Sequence, residues 1–156
     1  MGRQRSRAPA RRVIVPSSMT WEPSQEDSPY TRLGGEEGVR KLVARFYDVM
    51  DAKEPALARL HELDEHGKVG SAARERFTLF LIEWLGGPAT YSPVHGRPRL
   101  RMRHGRVPVN VPMRDAWLRC MARAMDDLAI DGDLRRFLDA RFAEVADFLR
   151  NAPEPA

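Results

Sequence analysis

The segment from His95 to His104, HGRPRLRMRH, carries the residues whose types and spacing most directly suggest chemistry. Two histidines enclose four arginines at alternate positions, and no acidic residue occurs between Leu85 and Met113. The lack of carboxylates gives the region a positive potential that favours an anionic partner. Three interpretations are open at this point: a nucleic-acid contact, an exposed basic loop, or the surroundings of one histidine with a specific role.

The histidines are the candidates for a metal or catalytic role. His61, His66, His95 and His104 do not have the spacing of a zinc site, and Cys120 is the single cysteine. No serine or cysteine lies at a recognisable nucleophile turn, so a catalytic triad is unsupported. Haem is a cofactor that one protein histidine can hold, provided that an apolar pocket and cations for its propionates are nearby. A histidine among arginines is compatible with that cofactor.

The other two interpretations rest on the same arginines. Alternating arginines can follow phosphates, and bases can stack on aromatic side chains. The aromatic residues of this chain, however, lie on helix faces that the core requires, and Tyr91 is the only one near the basic segment. Leu100 and Met102 alternate with the arginines and would be buried on one side, which argues against a fully solvated loop.

The elements that must position this segment are predicted to be helices, because apolar residues recur at helical spacing from Tyr30 onward. Gly86-Gly87-Pro88 would end one of them sharply. Between residues 88 and 111 the periodicity is weak, and Val107 and Val109 are too few for a sheet. The predicted fold class is therefore all-α. The helix starts that the sequence predicts are Gly35, Pro55 (a short helix over 55–63), Ser71 as a cap, Pro112 in a first turn and Asp133 as a cap.

The N-terminal residues differ in composition from the rest of the chain. Residues 1–20 contain five arginines and no acid, whereas all 156 residues together have 26 basic and 22 acidic side chains, so the remainder is close to neutral. The sequence predicts a basic disordered tail over 1–29, one domain over 30–151 and a C-terminal tail over 152–156. No apolar run has the length of a membrane span, and the lone Cys120 suits the reducing cytoplasm.

Several spaced motifs resemble the group II truncated haemoglobins. The resemblance covers roughly residues 30–150 and implies a two-over-two helical sandwich of the truncated globin type that encloses haem b. The motifs that carry it are Leu33-Gly-Gly, Arg45-Phe46-Tyr47, Trp84-Leu-Gly-Gly-Pro, Tyr91, His95-Gly, Pro98-Arg-Leu-Arg-Met-Arg-His104 and Arg114-Asp-Ala-Trp117-Leu-Arg-Cys-Met121.

The resemblance implies a role for each candidate residue. His104 corresponds to the proximal iron ligand, and Arg103 and Arg76 correspond to cations near the haem propionates. Tyr47 and Trp117 correspond to distal donors, because O–H and N–H groups in a dry pocket stabilise negative charge on a bound ligand. Core packing alone would also explain each of the expected pocket residues, which are Ala73, Phe77, Phe80, Leu81, Leu100, Met102, Val107, Val109 and Phe142.

The sequence departs from the family pattern in the distal region. Leu60-His61 stands where an apolar residue followed by Tyr or Phe is usual, so His61 is either a third distal donor or an exposed loop residue. The connection from His61 to Ser71 is several residues longer than usual. Arg97 replaces a histidine that is common in the family, and Ala73 supplies no distal histidine.

These features predict a haem protein that reversibly binds dioxygen and other diatomic ligands. One class of function is redox or detoxification chemistry, by nitric oxide dioxygenation or by peroxide or nitrite reduction. The other is non-catalytic dioxygen carriage, scavenging or sensing, and an arginine-rich nucleic-acid binder is a more distant alternative. No flavin or nicotinamide motif occurs, so redox turnover requires an external reductant. The sequence leaves the assembly state, including a homodimer, open.

Overall fold

The computed structural model describes residues 21–96 and 110–149, with side chains through Asp147. Within these ranges the chain forms helices and one isolated β-bridge between Leu63 and Val69, with no strand. The predicted all-α fold class is confirmed. The helices, in chain order, are α1 (Pro29–Leu33), α2 (Gly35–Lys53), α3 (Pro55–Ala58), α4 (Ser71–Trp84), α5 (Ser92–His95), α6 (Val111–Asp127) and α7 (Gly132–Leu149).

Three helix boundaries follow the local sequence signals. Gly34 separates α1 from α2 with a φ of 103°, a left-handed conformation that a glycine adopts without steric cost. Helix α4 ends at Trp84, directly before the Gly-Gly-Pro sequence. At the start of α6, the side chain of Asn110 accepts a hydrogen bond from the Met113 N–H, and Pro112 occupies the first turn as predicted.

Other boundaries differ from the sequence prediction. Ser71 is the first residue of α4 rather than its cap, because Gly70 already has the extended backbone of a cap position. Asp133 lies inside the first turn of α7 and not before it. The predicted helix over 55–63 ends at Ala58, after which the Leu60 N–H bonds to the carbonyl three residues earlier in a tighter turn.

The core lies where α2 packs against α4 and α6, and α7 packs against α6. Cys120 of α6 is fully buried, and burial raises the pKa of its thiol to about 12, so it packs as a small apolar side chain, as the sequence predicts. None of the helices in the described ranges has the length and apolarity that a bilayer crossing requires. The buried face of α2 consists of Val39, Leu42, Val43, Phe46, Tyr47, Val49 and Met50.

The described residues before α1 pack against the helical domain. The Trp21 ring meets the Phe137 ring edge to face at a centroid distance of 5.5 Å, and its indole N–H donates to the Asp27 carbonyl over 3.0 Å. The Arg32 guanidinium lies 4.3 Å above the Trp21 ring. The part of the predicted tail that follows residue 20 therefore belongs to the packed structure, whereas residues 1–20 lie outside the described ranges.

Candidate functional site

Aromatic side chains from α2, α4, α6 and α7 meet in one cluster. Phe46 is fully buried at its centre, and its ring lies 4.9 Å from Tyr47, 5.5 Å from Phe77 and 5.2 Å from Trp117, measured between centroids. The Phe142 ring of α7 lies 5.7 Å from Trp117. We call these five side chains the aromatic cluster. The structure thus brings together four candidates that the sequence identified separately.

Tyr47 places a polar group inside this apolar cluster. The residue is 5% exposed, and its hydroxyl makes no hydrogen bond to any part of the chain that the structure describes. Burial raises the pKa of the Tyr47 phenol, and the nearby cations Arg74 and Arg76 oppose that shift only in part. The phenol is therefore neutral at physiological pH and carries a proton that it can donate. A buried polar atom that has no partner among the described residues is unusual in a folded protein and makes the Tyr47 hydroxyl a candidate donor to a ligand.

Trp117 supplies a second donor to the same cluster. Its half-buried ring lies 6.2 Å from Phe77 and 5.7 Å from Phe142. Within residues 21–96 and 110–149 the indole N–H has no hydrogen-bond acceptor. Buried tryptophans usually find such an acceptor. Tyr47 and Trp117 thus both adjoin Phe77, and each has a donor that no acceptor in the described ranges engages.

His61 lies beside Tyr47, half-buried, directly after the turn that follows α3. The two rings meet nearly at right angles with centroids 5.6 Å apart. The His61 Nδ1 atom is 3.1 Å from the Leu57 carbonyl oxygen. A carbonyl oxygen only accepts, so Nδ1 carries the proton in this contact. The structure therefore brings His61 next to the aromatic cluster, and its role as a distal donor stays a prediction.

Helix α4 carries further candidates besides Phe77, and three of them pack in or against the core. Phe80 and Leu81 are buried, and Ala73 is partly buried against the core residues. The Phe80 ring stacks 6.4 Å from Phe77, which extends the apolar wall along the helix. Arg76 is exposed and forms no ion pair with a residue in the described ranges. It therefore remains available to an anionic group.

The remaining candidates fall outside the described residues. They are His104, Arg103, Leu100, Met102, Val107 and Val109, all in the range 97–109. Their assigned roles stay predictions.

The chain that leads into this range is anchored by Glu83 of α4. One carboxylate oxygen accepts hydrogen bonds from the Tyr91 and Ser92 N–H groups over 3.0 and 2.9 Å, and the other accepts from the Ser92 hydroxyl. These bonds lower the pKa of Glu83, and the bond from the Ser92 hydroxyl has the largest effect. The short helix α5, which the sequence did not predict, begins at this anchor because a distant side chain supplies its acceptors.

Sequence reasoning missed two further residues that touch the site. Phe46 was named only as part of the Arg45-Phe46-Tyr47 motif, although its place next to Tyr47 on the buried face of α2 could have indicated the contact. Arg74 was not considered; its guanidinium lies 5.5 Å from the Tyr47 ring centre and pairs with Asp51 over 2.8 Å. No local pattern links residues that are 23 positions apart in the chain.

The residues present fit a haem group. Haem needs a large apolar surface, cations for its propionates and a single protein ligand. The aromatic cluster with Phe80 supplies the apolar surface, and the exposed Arg76 supplies a cation. The Tyr47 and Trp117 donors, which have no acceptor among the described residues, can meet a small polar ligand. Within the described ranges no three His, Cys, Asp or Glu side chains converge on one point.

Comparisons with known proteins agree with this geometry. The model of the bacterial-like globin family matches residues 28–151. A group 2 truncated haemoglobin from Bacillus subtilis is 37% identical over 128 residues, which is 82% of this chain and 92% of that relative.

Solved structures of such proteins share the fold. The group II truncated haemoglobin from Bacillus anthracis is 32% identical with a TM-score of 0.74, over 81% of this chain and 98% of that one. A thermostable haemoglobin from Thermobifida fusca is 38% identical with a TM-score of 0.72, over 81% of this chain and 99% of that one. The truncated oxygen-avid haemoglobin from Bacillus subtilis is 35% identical with a TM-score of 0.72, over 80% and 99% of the two chains.

Proposed function

Because this chain belongs to the group II truncated haemoglobins within the bacterial-like globin family, whose fold binds diatomic ligands at a haem, we propose specific roles for its residues. The proposed cofactor is haem b, with His104 as the proximal ligand and Tyr47, Trp117 and His61 on the distal side. The observation that carries this proposal is a pair of donors in one aromatic cluster, the Tyr47 hydroxyl and the Trp117 indole N–H, neither of which has an acceptor in the part of the chain that the structure describes.

A bound haem would supply an iron centre for a diatomic ligand and for electron exchange with it. The side chains of this protein exclude water, donate hydrogen bonds and bind the propionates. Phe46 and Phe77 keep water away from the pocket, which strengthens each hydrogen bond made inside it. Tyr47 and Trp117 donate to the ligand when negative charge develops on it. Arg76 and Arg103 pair with the propionates.

These donors favour retention of dioxygen over rapid delivery. Each hydrogen bond to a charged acceptor contributes about 1.5–3 kcal/mol, so two together slow ligand release by orders of magnitude. The related Bacillus subtilis protein is described as oxygen-avid, which agrees with a retaining pocket. We therefore propose that this protein carries out redox or detoxification chemistry. The candidate reactions are nitric oxide dioxygenation, peroxide reduction and nitrite reduction, each with electrons from an external reductant.

The first experiment is haem addition to the purified chain, followed by absorption spectroscopy. A strong haem band with a stable dioxygen complex supports the proposal, and no band after haem addition contradicts it. Nitric oxide together with dioxygen, then peroxide, and then nitrite are supplied in separate assays, each with a chemical reductant. Turnover of one of them identifies the redox reaction. Ligand binding without any turnover would instead assign the protein to dioxygen scavenging or sensing.

A further inference from the structure

The connection between α3 and α4 is a closed turn with its own hydrogen bonds. The Gly70 N–H donates to the Glu62 carbonyl over 2.9 Å, and the Asp64 N–H donates to the Lys68 carbonyl over 2.7 Å. The Asp64 carboxylate accepts from the N–H groups of His66 and Lys68 over 2.8 and 3.0 Å. We call residues 62–70 the insertion turn. It follows His61 directly, so its position also constrains the end of the segment that carries His61.

Val69 attaches the insertion turn to the core. It is almost fully buried, its N–H donates to Asp51 Oδ1 over 3.0 Å, and its carbonyl accepts from Arg74 Nε over 2.9 Å. The Asp51 side chain is only 5% exposed. Because both backbone groups of Val69 are bound by side chains of α2 and α4, the turn is held on two helices at once.

Arg74 connects this attachment to the candidate ligand pocket. Its Nη2 donates to Asp51 Oδ2 over 2.8 Å and its Nη1 to Asp48 Oδ1 over 3.1 Å, so the planar guanidinium is fixed on several sides. The same guanidinium lies 5.5 Å from the centre of the Tyr47 ring, within the range of a cation–π contact. Arg74 therefore contacts both the insertion turn and the proposed distal donor.

We propose that the partly buried Arg74–Asp51 pair is a positioning device that sets the place of the Tyr47 hydroxyl and, through the insertion turn, of the His61 ring. The proposal rests on the proposed distal role of Tyr47. Hydrogen bonds weaken steeply when a donor is displaced or tilted, so a fixed ring is required for ligand retention. Arg74 acts through Tyr47 and does not itself touch the ligand in this proposal.

The opposing interpretation is that Arg74 only joins α2 to α4. Arg40 of α2 provides the matched control, because it joins the same two helices through Glu75 of α4 over 2.8 Å and also pairs with Glu36 on its own helix over 2.8 Å. Its side chain is 43% exposed, whereas that of Arg74 is 24% exposed. Both arginines bridge the two helices, but of the two only Arg74 has a ring contact with Tyr47.

The experiment compares Arg74→Met, Arg74→Lys and the control Arg40→Met in the full chain. In the haem-free protein, amide hydrogen exchange is measured at Val69. In the haem-loaded protein, the vibrational frequency of bound carbon monoxide reports the hydrogen bond from Tyr47, and the dioxygen dissociation rate reports retention. We expect Arg74→Met to speed exchange at Val69, to shift the carbon monoxide frequency toward that of Tyr47→Phe, and to speed dissociation about three- to tenfold.

Two further variants, Arg74→Lys and the double variant Arg74→Met with Tyr47→Phe, distinguish positioning of Tyr47 from a general loss of stability. Lysine keeps the charge but not the planar fork, so Arg74→Lys should restore part of the frequency shift. Adding Arg74→Met to Tyr47→Phe should change the dissociation rate far less than Arg74→Met changes it in the wild type, since the Tyr47 donor is already gone. If Arg74→Met and Arg74→Lys lower the melting temperature but keep the wild-type carbon monoxide frequency, the proposal is overturned.

A failure of the proposed distal role of Tyr47 gives a different result from a failure of the positioning role of Arg74. If Tyr47→Phe alone leaves the frequency and the rate unchanged, the distal role of Tyr47 is wrong, and the positioning role falls with it. If Tyr47→Phe changes both while Arg74→Met changes neither, only the positioning role is wrong. A change in Arg40→Met equal to that in Arg74→Met would also overturn the positioning role, because any bridge between the helices would then suffice.

Discussion

Tyr47 and His61 contact each other edge to face, with ring centroids 5.6 Å apart, although 14 positions separate them in the chain. The His61 Nδ1–H group is engaged by the Leu57 carbonyl at 3.1 Å. A neutral imidazole has one N–H, so this contact uses its only proton, and a cationic ring adds a second N–H at Nε2. With Nδ1–H engaged in this way, a donation from Nε2 requires the charged form of the ring.

This geometry predicts a pH dependence. Imidazole ordinarily titrates near pH 6.5, so dioxygen dissociation should slow by about three- to tenfold as the pH falls from about 8 to 5 and the second N–H appears. His61→Phe should abolish this dependence with little effect on packing. Stopped-flow dissociation at several pH values is the measurement. An unchanged rate and pH profile in His61→Phe would assign His61 to the loop alone.

Tyr47→Phe should speed dioxygen dissociation by about tenfold, because it removes one hydrogen bond to a partly charged ligand. Burial raises the pKa of the Tyr47 phenol, so it stays protonated across the same pH range and the His61 effect should persist in this variant. Since the hydroxyl has no partner in the described residues, the haem-free protein should lose no stability. A clear drop in its melting temperature would show that the hydroxyl has a structural partner.

His104→Ala should greatly weaken haem retention, because it removes the proposed proximal ligand. Absorption spectra and haem transfer to an acceptor protein measure the loss. Added imidazole should restore the spectrum in part, and His95→Ala is the matched control that should keep the haem. Retention of an unaltered spectrum by His104→Ala without imidazole would mean that another residue is the ligand.

Arg103→Glu should loosen haem, because it replaces a propionate partner by a carboxylate. Removing such a pair costs about 1–3 kcal/mol when it is partly buried. Haem dissociation is measured beside Arg136→Glu, an equal charge change at an exposed position on α7. The nucleic-acid alternative predicts instead a salt-sensitive affinity for duplex or single strands that persists without residues 1–20 and falls as arginines are removed.

Trp21→Ala should lower the melting temperature of the protein, because it deletes the edge contact with Phe137. Such ring pairs contribute about 0.5–1.5 kcal/mol beyond the area that they bury. Deletion of residues 1–20, which leaves Trp21 in place, is the control and should change the melting temperature little. Equal stability of Trp21→Ala and the wild type would mean that this contact does not hold the segment in solution.

Much of the fold could be predicted from the sequence because its signals are local. Helical spacing of apolar residues located α2 and α6, and Gly86-Gly87-Pro88 fixed the end of α4. The spaced motifs around Trp84 and Trp117 were sufficient to indicate the family. Tyr47 and Trp117 could be identified as candidate donors for the same reason, since a motif specifies a residue type at a chain position.

Only the tertiary structure decided which of these candidates meet and what holds them. The chain order does not reveal that Arg74 binds Asp51 and faces Tyr47, or that Glu83 supplies the acceptors for the start of α5. It also could not show that the residues after position 20 pack, since composition reports an average and not a specific contact. The physical reason is that hydrogen bonds and ring contacts depend on distances of a few ångströms between distant segments, and those distances are set when α2, α4 and α6 pack together.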